Sequence, residues 1–349
     1  MSQSNPWIAV NLSVCLPGLG HIYAAQYPKA GAWFLGTLGC ALLALRCVFA
    51  AEGNTAVGLF FAGAAVVVYA SCLLDAYYCL SEGAPPAFPR SRDRWFAVFL
   101  SQVLPGLGHL YLQRLGLGAV LMVAMIVASN IASQSALWIA VPPTIAAIAC
   151  CSAYQVNTSP RSRSKTLITA IVILLLVVRL GVASLPLALN AQLERFVVPS
   201  GSMQPTLQVG DRMFVRKSAA YRPQLGDLIV FRSPRAARSS APQSSRNNQS
   251  ETFFVKRVIG TPGQTIEVQG GQVYLNGQAI DEPYLTEAPR YRLAPVTLGP
   301  DQYFVLGDNR NNSYDSHVWG PMNQSVIVGQ AYKIYWPLDR SQSLLPEDR

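Results

Sequence analysis

The chain has 349 residues and a net charge of +9, yet only 13% of its residues are charged and 51% are hydrophobic. That balance excludes a disordered polycation and directs attention to a membrane, and the length allows two domains. The charge divides unevenly: residues 1–190 carry ten Lys/Arg and four Asp/Glu, whereas residues 191–349 carry seventeen and fourteen, as an ordinary soluble domain does.

Apolar runs lie at roughly residues 31–50, 57–78, 116–133, 136–153 and 166–190, most of them near the ~20 residues that cross a bilayer. The start of the chain has neither a basic region nor a cleavage site, so it does not read as a removable signal peptide. Pro17–Tyr23 (PGLGHIY) recurs as Pro105–Tyr111 (PGLGHLY), and each unit closes on an Ala-Tyr pair, Ala76-Tyr77 and Ala153-Tyr154. The expected order is a first membrane repeat (1–80), a basic loop (81–94), a second repeat (95–154), a second basic loop (155–165) and an anchor span (166–190).

The basic residues gather in those loops as Arg90, Arg92 and Arg94, then Arg161, Arg163 and Lys165. Short basic loops between apolar spans follow the positive-inside rule, and no nucleic-acid partner is expected. If both loops are cytoplasmic, an even number of spans separates them. The segments broken by Pro105, Gly106 and Gly108, and equally by Pro17, Gly18 and Gly20, are therefore expected to be re-entrant or interfacial. Five full spans then leave the C-terminal domain outside.

His21 and His109 sit in the broken segments, where a paired polar or metal site is one reading; the preferred expectation is that each caps or hydrogen-bonds a helix break, because no carboxylate or cysteine recurs beside them. Arg46 and Arg179 are expected to snorkel to an interface. All seven cysteines precede residue 152 and match no zinc spacing, so neither a metal nor another cofactor is implied.

Residues 191–340 read as an all-β domain: RMFVRK, GDLIVFRSP, ETFFVKRVIG, QTIEVQGGQVYLNGQ, DQYFVLGD and VIVGQAYKIYWP alternate apolar with polar positions between turn residues. Asn276-Gly277 marks a hairpin. A Ser/Arg/Pro-rich insert covers 233–250, and a short tail covers 341–349. The apolar Phe196–Pro199 either dips into lipid or forms an ordinary strand. Twelve residues separate Asn190 from Ser202, a reach of at most ~40 Å, so Ser202 is expected to work near the outer membrane surface.

Pro199–Leu207 (PSGSMQPTL) places Ser200 and Ser202 on one loop around Gly201, a layout suited to acyl transfer if a base is at hand. His317 is the one histidine outside the membrane half, and the lysines there are Lys217, Lys256 and Lys333. Strand alternation puts Lys256 on one face with Phe254 and Val258, and Arg257 on the other. An amine flanked by apolar groups is desolvated, which favours the neutral, basic form.

The boxes PSGSMQPTL, GDLIVF, FVKRVIGTPG and GDNRNNSYDS, in that order over roughly residues 195–337, resemble those of the type I signal peptidases, membrane-bound Ser-Lys proteases. The resemblance implies Ser202 as nucleophile and Lys256 as general base, with Ser200 joining the Ser202 amide as oxyanion hole. It implies Ser313 as the group orienting the lysine, Met203 near the substrate pocket, and Asp308 and Asp315 as bracing acids. Asn311 and His317 stand where the family commonly has Asp and Arg, which puts the charge network around Asp308 and Asp315 in question. The implied fold is a multi-pass α-helical membrane region followed by a signal-peptidase-like β-domain.

The implied function is removal of signal peptides from exported preproteins after small residues, at the outer face of a bacterial cytoplasmic membrane. Substrate preproteins, the lipid bilayer and a place beside the Sec or Tat translocon are the implied partners. The alternatives are a conjugation-system Ser-Lys peptidase and a membrane scaffold with an inactive peptidase domain.

Overall fold

The computed structural model describes residues 5–81, 92–156, 165–218, 220–234 and 253–346. The central parts of both basic loops, most of the 233–250 insert and residues 347–349 lie outside the described residues. The chain divides into a helical unit (Met1–Leu45 and Leu59–Ala188) and a second unit (Arg46–Gly58 and Leu189–Arg349).

The helical unit contains α1 (Pro6–Cys15), α2 (Leu19–Tyr23), α3 (Tyr27–Phe49), α4 (Thr55–Tyr78), α5 (Arg94–Val103), α6 (Leu107–Tyr111), α7 (Leu115–Gln134), α8 (Val141–Gln155) and α9 (Lys165–Gln192). Tyr27–Phe49, Thr55–Tyr78, Leu115–Ala132, Ala136–Gln155 and Lys165–Gln192 are long and apolar enough to cross a membrane. With ten residues each, α1 and α5 reach about 15 Å, half of a ~30 Å hydrocarbon core.

Their break has a local cause. Leu16 and Leu104 are extended ahead of a proline that offers no N–H, and Gly18 and Gly106 then turn through φ of +91° and +99°. The repeat is longer than the shared heptapeptide. Asn5 and Asp93 cap the two first helices, and Ala25 and Gln113 both take left-handed backbone after the second ones. Helices α1, α5, α8 and α9 share a core that includes Ile8, Trp95, Tyr154 and Ile171. Within it Asn11 donates to Trp95 O at 2.8 Å and accepts from Gln102 Nε2 at 2.9 Å.

The second unit is built on β1 (Leu193–Val197), β2 (Arg212–Arg216), β3 (Leu228–Arg232), β4 (Phe253–Gly260), β5 (Thr265–Gln269), β6 (Gln272–Leu275), β7 (Gln278–Ala279), β8 (Leu293–Thr297), β9 (Gln302–Leu306), β10 (Met322–Asn323), β11 (Ile327–Trp336) and β12 (Gln342–Ser343). One antiparallel sheet has the order β1-β2-β11-β3-β4-β9-β10, with β12 on β11, and a smaller one has the order β7-β6-β5-β8. Asn276 and Gly277 take positive φ and join β6 to β7 as the sequence indicates.

Of the two expectations for Phe196–Pro199, the strand describes its first half, since β1 pairs with β2 through Val197. The segment Arg46–Gly58 groups with the β-domain, where Lys333 Nζ donates to Cys47 O and Val48 O at 2.8 and 2.7 Å. Those carbonyls end a helix without amide partners of their own, so a buried ammonium there satisfies both.

Candidate active site

Strand β4 is central in its sheet, paired along its two edges with β3 and β9, and its two faces carry Lys256 and Arg257 as the alternation indicates. Lys256 is 3% exposed, and Arg257 on the opposite face is also buried, at 9%. Phe254 and Val258 flank Lys256 in a cluster with Ile229, Phe231 and Val305. Burial in that apolar setting pushes the lysine down to about 8, against the opposing pull of the Asp315 and Asp308 carboxylates.

Opposite it, Gly201–Met203 forms a short 3-10 turn. Lys256 Nζ lies 2.5 Å from Ser202 Oγ, and Ser200 Oγ lies 3.4 Å from the same atom. The other two lysines are engaged elsewhere, Lys333 on the Cys47 and Val48 carbonyls and Lys217 beside Glu194 at 3.4 Å. His317 is taken up by Asp315, with Nδ1 2.7 Å from Oδ1 and its ring stacked on Tyr291. Lys256 is thus the lysine that the structure brings to Ser202.

The turn is held from behind by residues that follow β9. Asn309 donates its backbone N–H to Ser202 O at 3.1 Å and its side-chain amide to Gly201 O at 3.2 Å. Gly307 makes this approach feasible, because a Cβ there would lie 2.4 Å from Ser202 O and 2.2 Å from Ser313 Oγ. Neither residue stands out in the sequence; a glycine between a β-strand and a polar Asn-rich turn is the sequence sign of close backbone approach.

Gly307→Ala is expected to leave the β-domain folded and to lower turnover by about 100-fold, since displacements near 1 Å cost about that much. Unchanged cleavage kinetics would show that the Ser202 turn tolerates the shift.

The two acids are individually satisfied. Arg257 grips Asp308 through Nε and Nη2 at 2.8 and 2.7 Å, and Thr206 Oγ1 donates to Asp308 Oδ2 at 2.5 Å. Register explains the pair: Arg257 faces Leu306 on β9, and Asp308 follows two residues later on the same side. Asp315 accepts from the Gly307 and His317 amides at 2.8 and 3.1 Å.

His317 is thus the side-chain partner of Asp315, separate from the Arg257–Asp308 pair. Asn311 stands outside both pairs, bonded to Ala288 O and Arg290 N at 3.0 and 2.8 Å. Met203 lies directly behind the Ser202 turn, fully buried in the core with Val198, Leu207 and Met213.

Ser200, Gly201, Ser202, Phe254, Lys256, Asn311, Asn312, Ser313 and Tyr314 line one open cleft of about 470 Å³. Ser313 Oγ is buried there without a hydrogen-bond partner among the described residues, so the structure brings it to the dyad but not into a bond with Lys256.

Residues 164–336 match the family described as signal peptidase, peptidase S26. A signal peptidase I of Leptolyngbya laminosa is 43% identical over 155 residues, covering 44% of this chain and 73% of that protein. The chain belongs to the signal peptidase I family. A probable signal peptidase I-2 of Synechocystis is 40% identical over 53% of this chain and 76% of its own length. A crystal structure of a signal peptidase I from Enterococcus faecalis is 30% identical, covering 32% of this chain and 97% of that one, with a TM-score of 0.26. Serine endopeptidase activity on preproteins that carry signal peptides accordingly belongs to this chain as a family property. The helical repeats lie before the matched region.

Proposed function

We propose that this signal peptidase works through a Ser202 acyl-enzyme with Lys256 as general base, and that its cleft opens on the outer face of a bacterial cytoplasmic membrane. The approach of Lys256 Nζ to Ser202 Oγ in an apolar setting carries the proposal. With the lysine near 8, roughly one amine in ten is neutral at pH 7, against a few in ten thousand for an unperturbed lysine.

The neutral amine takes the hydroxyl proton as Ser202 Oγ attacks the scissile carbonyl. The Ser202 N–H and the Ser200 hydroxyl stabilise the oxyanion, and the lysine ammonium returns the proton to the leaving amine. Water activated by the same lysine then hydrolyses the ester. Ser313, beside the amine, is assigned to orienting it.

The five long apolar helices, the two short broken segments and the basic loops support five crossings with the β-domain outside. A substrate still held in the bilayer by its signal helix then presents its cleavage site close to the cleft, beside the translocon that delivers it. Neither alternative Ser-Lys peptidase nor inactive scaffold has a specific observation in its favour.

The test is cleavage of a purified preprotein by the full chain in detergent. The native protein should cut after a small residue, and Ser202→Ala should lose about 10⁴-fold or more of that rate. Retained cleavage by Ser202→Ala would overturn the assignment. In sealed right-side-out vesicles, added protease should reach the β-domain, and protection would overturn the orientation.

A further inference from the structure

The two PGLGH segments share a backbone and differ in chemistry. In each, the second glycine packs on the preceding helix so closely that a Cβ would meet its backbone: Gly20 at 2.1 Å from Ala9 O, Gly108 at 2.0 Å from Ala97 O. That contact buries the following histidine completely in both repeats. In the second repeat His109 Nε2 meets a hydroxyl, Ser152 Oγ, at 3.0 Å. In the first, His21 Nε2 meets a carboxylate, Asp75 Oδ2, at 2.9 Å, and a thiol lies beside it. One donor atom from each of His21, Asp75 and Cys79 falls within 4.8 Å of the other two.

A cation already stands among them. Lys29 Nζ is 3.1 Å from Asp75 Oδ1 and 3.9 Å from Cys79 Sγ. Trp33 Nε1 donates to Asp75 Oδ2 at 3.0 Å and fixes the carboxylate. Aligned on the glycine turns, the second repeat has Leu117 and Leu121 in place of Lys29 and Trp33. Aligned on the Ala-Tyr pairs, it has Ser152 and Val156 in place of Asp75 and Cys79. One framework therefore carries a complete set of metal donors in one copy and almost none in the other. A structural ion pair would need only Lys29 and Asp75. It gives no reason for a buried imidazole and a thiol to converge on the same carboxylate.

We propose that His21, Asp75 and Cys79 form a binding site for a zinc-class divalent metal, with Lys29 holding the position of the cation until the metal displaces it. Nitrogen, oxygen and sulfur ligands at ~2.0–2.3 Å from a tetrahedral metal stand about 3.4–3.6 Å apart, so small side-chain adjustments close the set. Thiolate ligation selects zinc-class metals over magnesium or calcium. Three protein ligands leave the fourth position open to water or an exogenous ligand.

Lys29 lies in the first turn of α3 and Asp75 in the last turn of α4, with the Lys29 side chain half exposed and that of Asp75 about a quarter. Binding releases the thiol proton to solvent and frees the lysine. The ligands could not be recognised from spacing, because 54 residues separate His21 from Asp75 and only the helical i, i+4 step links Asp75 to Cys79.

The experiment is a Co²⁺ titration of the full chain in detergent after chelator treatment, followed by absorption. One equivalent should produce a thiolate-to-cobalt charge-transfer band with visible ligand-field bands, and added Zn²⁺ should bleach both. Cys79→Ser should remove the charge-transfer band, while Asp75→Asn and His21→Gln should weaken binding at least tenfold. Lys29→Met should tighten binding at least tenfold, because the competing cation is gone.

Helical circular dichroism of each variant in detergent reports that the helical unit remains folded, and preprotein cleavage that the β-domain does. Absence of the bands in the native protein, or their persistence in folded Cys79→Ser, overturns the site. Unchanged or weakened affinity in Lys29→Met overturns the role given to the lysine.

Discussion

Lys256→Met is expected to abolish preprotein cleavage while making the β-domain more stable at neutral pH. Methionine keeps the length of the side chain and removes the charge. The lysine is depressed in the folded state to about 8 from an ordinary value of 10.5. Between those values the unfolded chain binds the proton more tightly than the folded one, so the native protein gains stability as pH rises through that window. The destabilisation is full below about pH 8 and gone above about pH 10.5. Its size is about 3 kcal/mol at 1.36 kcal/mol per pKa unit.

Thermal unfolding of the full chain should therefore show the β-domain transition of Lys256→Met above that of the native protein at pH 7, and coincident with it above pH 10.5. Native kcat/KM should rise with pH and level off above about 8, reporting the free lysine. A pH-independent gap in stability would show that burial of the ammonium is not its cause, and a rate that falls across pH 7–8 would exclude the amine as base.

The second large effect concerns Arg257 and Asp308. With Asp308 1% exposed and gripped by both guanidinium bonds, Arg257→Met leaves a buried carboxylate without its cation. The expected loss is about 3–5 kcal/mol, the usual result of breaking a buried pair from one side. Cleavage should fall as well, because Asp308 sits between Gly307 and Asn309, which hold the Ser202 turn. The double change Arg257→Met with Asp308→Leu removes both charges and should recover most of the stability. Chemical unfolding of the three proteins decides the point. A double variant as unstable as Arg257→Met would mean that shape, not the unpaired charge, dominates.

Much of this site is written in short stretches of chain. Ser200 and Ser202 stand in one loop, and Lys256 stands on a strand whose alternation is local. The helix breaks at Pro17 and Pro105 follow from a missing N–H and a glycine turn. Five apolar lengths near 20 residues announce the long helices, because crossing a bilayer is a demand on composition and length alone.

Other features depend on which distant segments meet. Packing against both faces of β4 buries Arg257 as well as Lys256, and the pairing of Arg257 with Leu306 brings Asp308 into its grip. The loop after β9 sets Gly307 against Ser202, bonds Asn311 to Ala288 and Arg290, and gives His317 to Asp315. Met203, next to Ser202, turns into the core.

In the helical unit, His21 acquires Asp75 only through packing across 54 residues, while its equivalent His109 acquires a serine. Periodicity and turn residues are properties of neighbours along the chain. A dyad lysine's solvation, an acid's partner and a histidine's ligands are properties of neighbours in space.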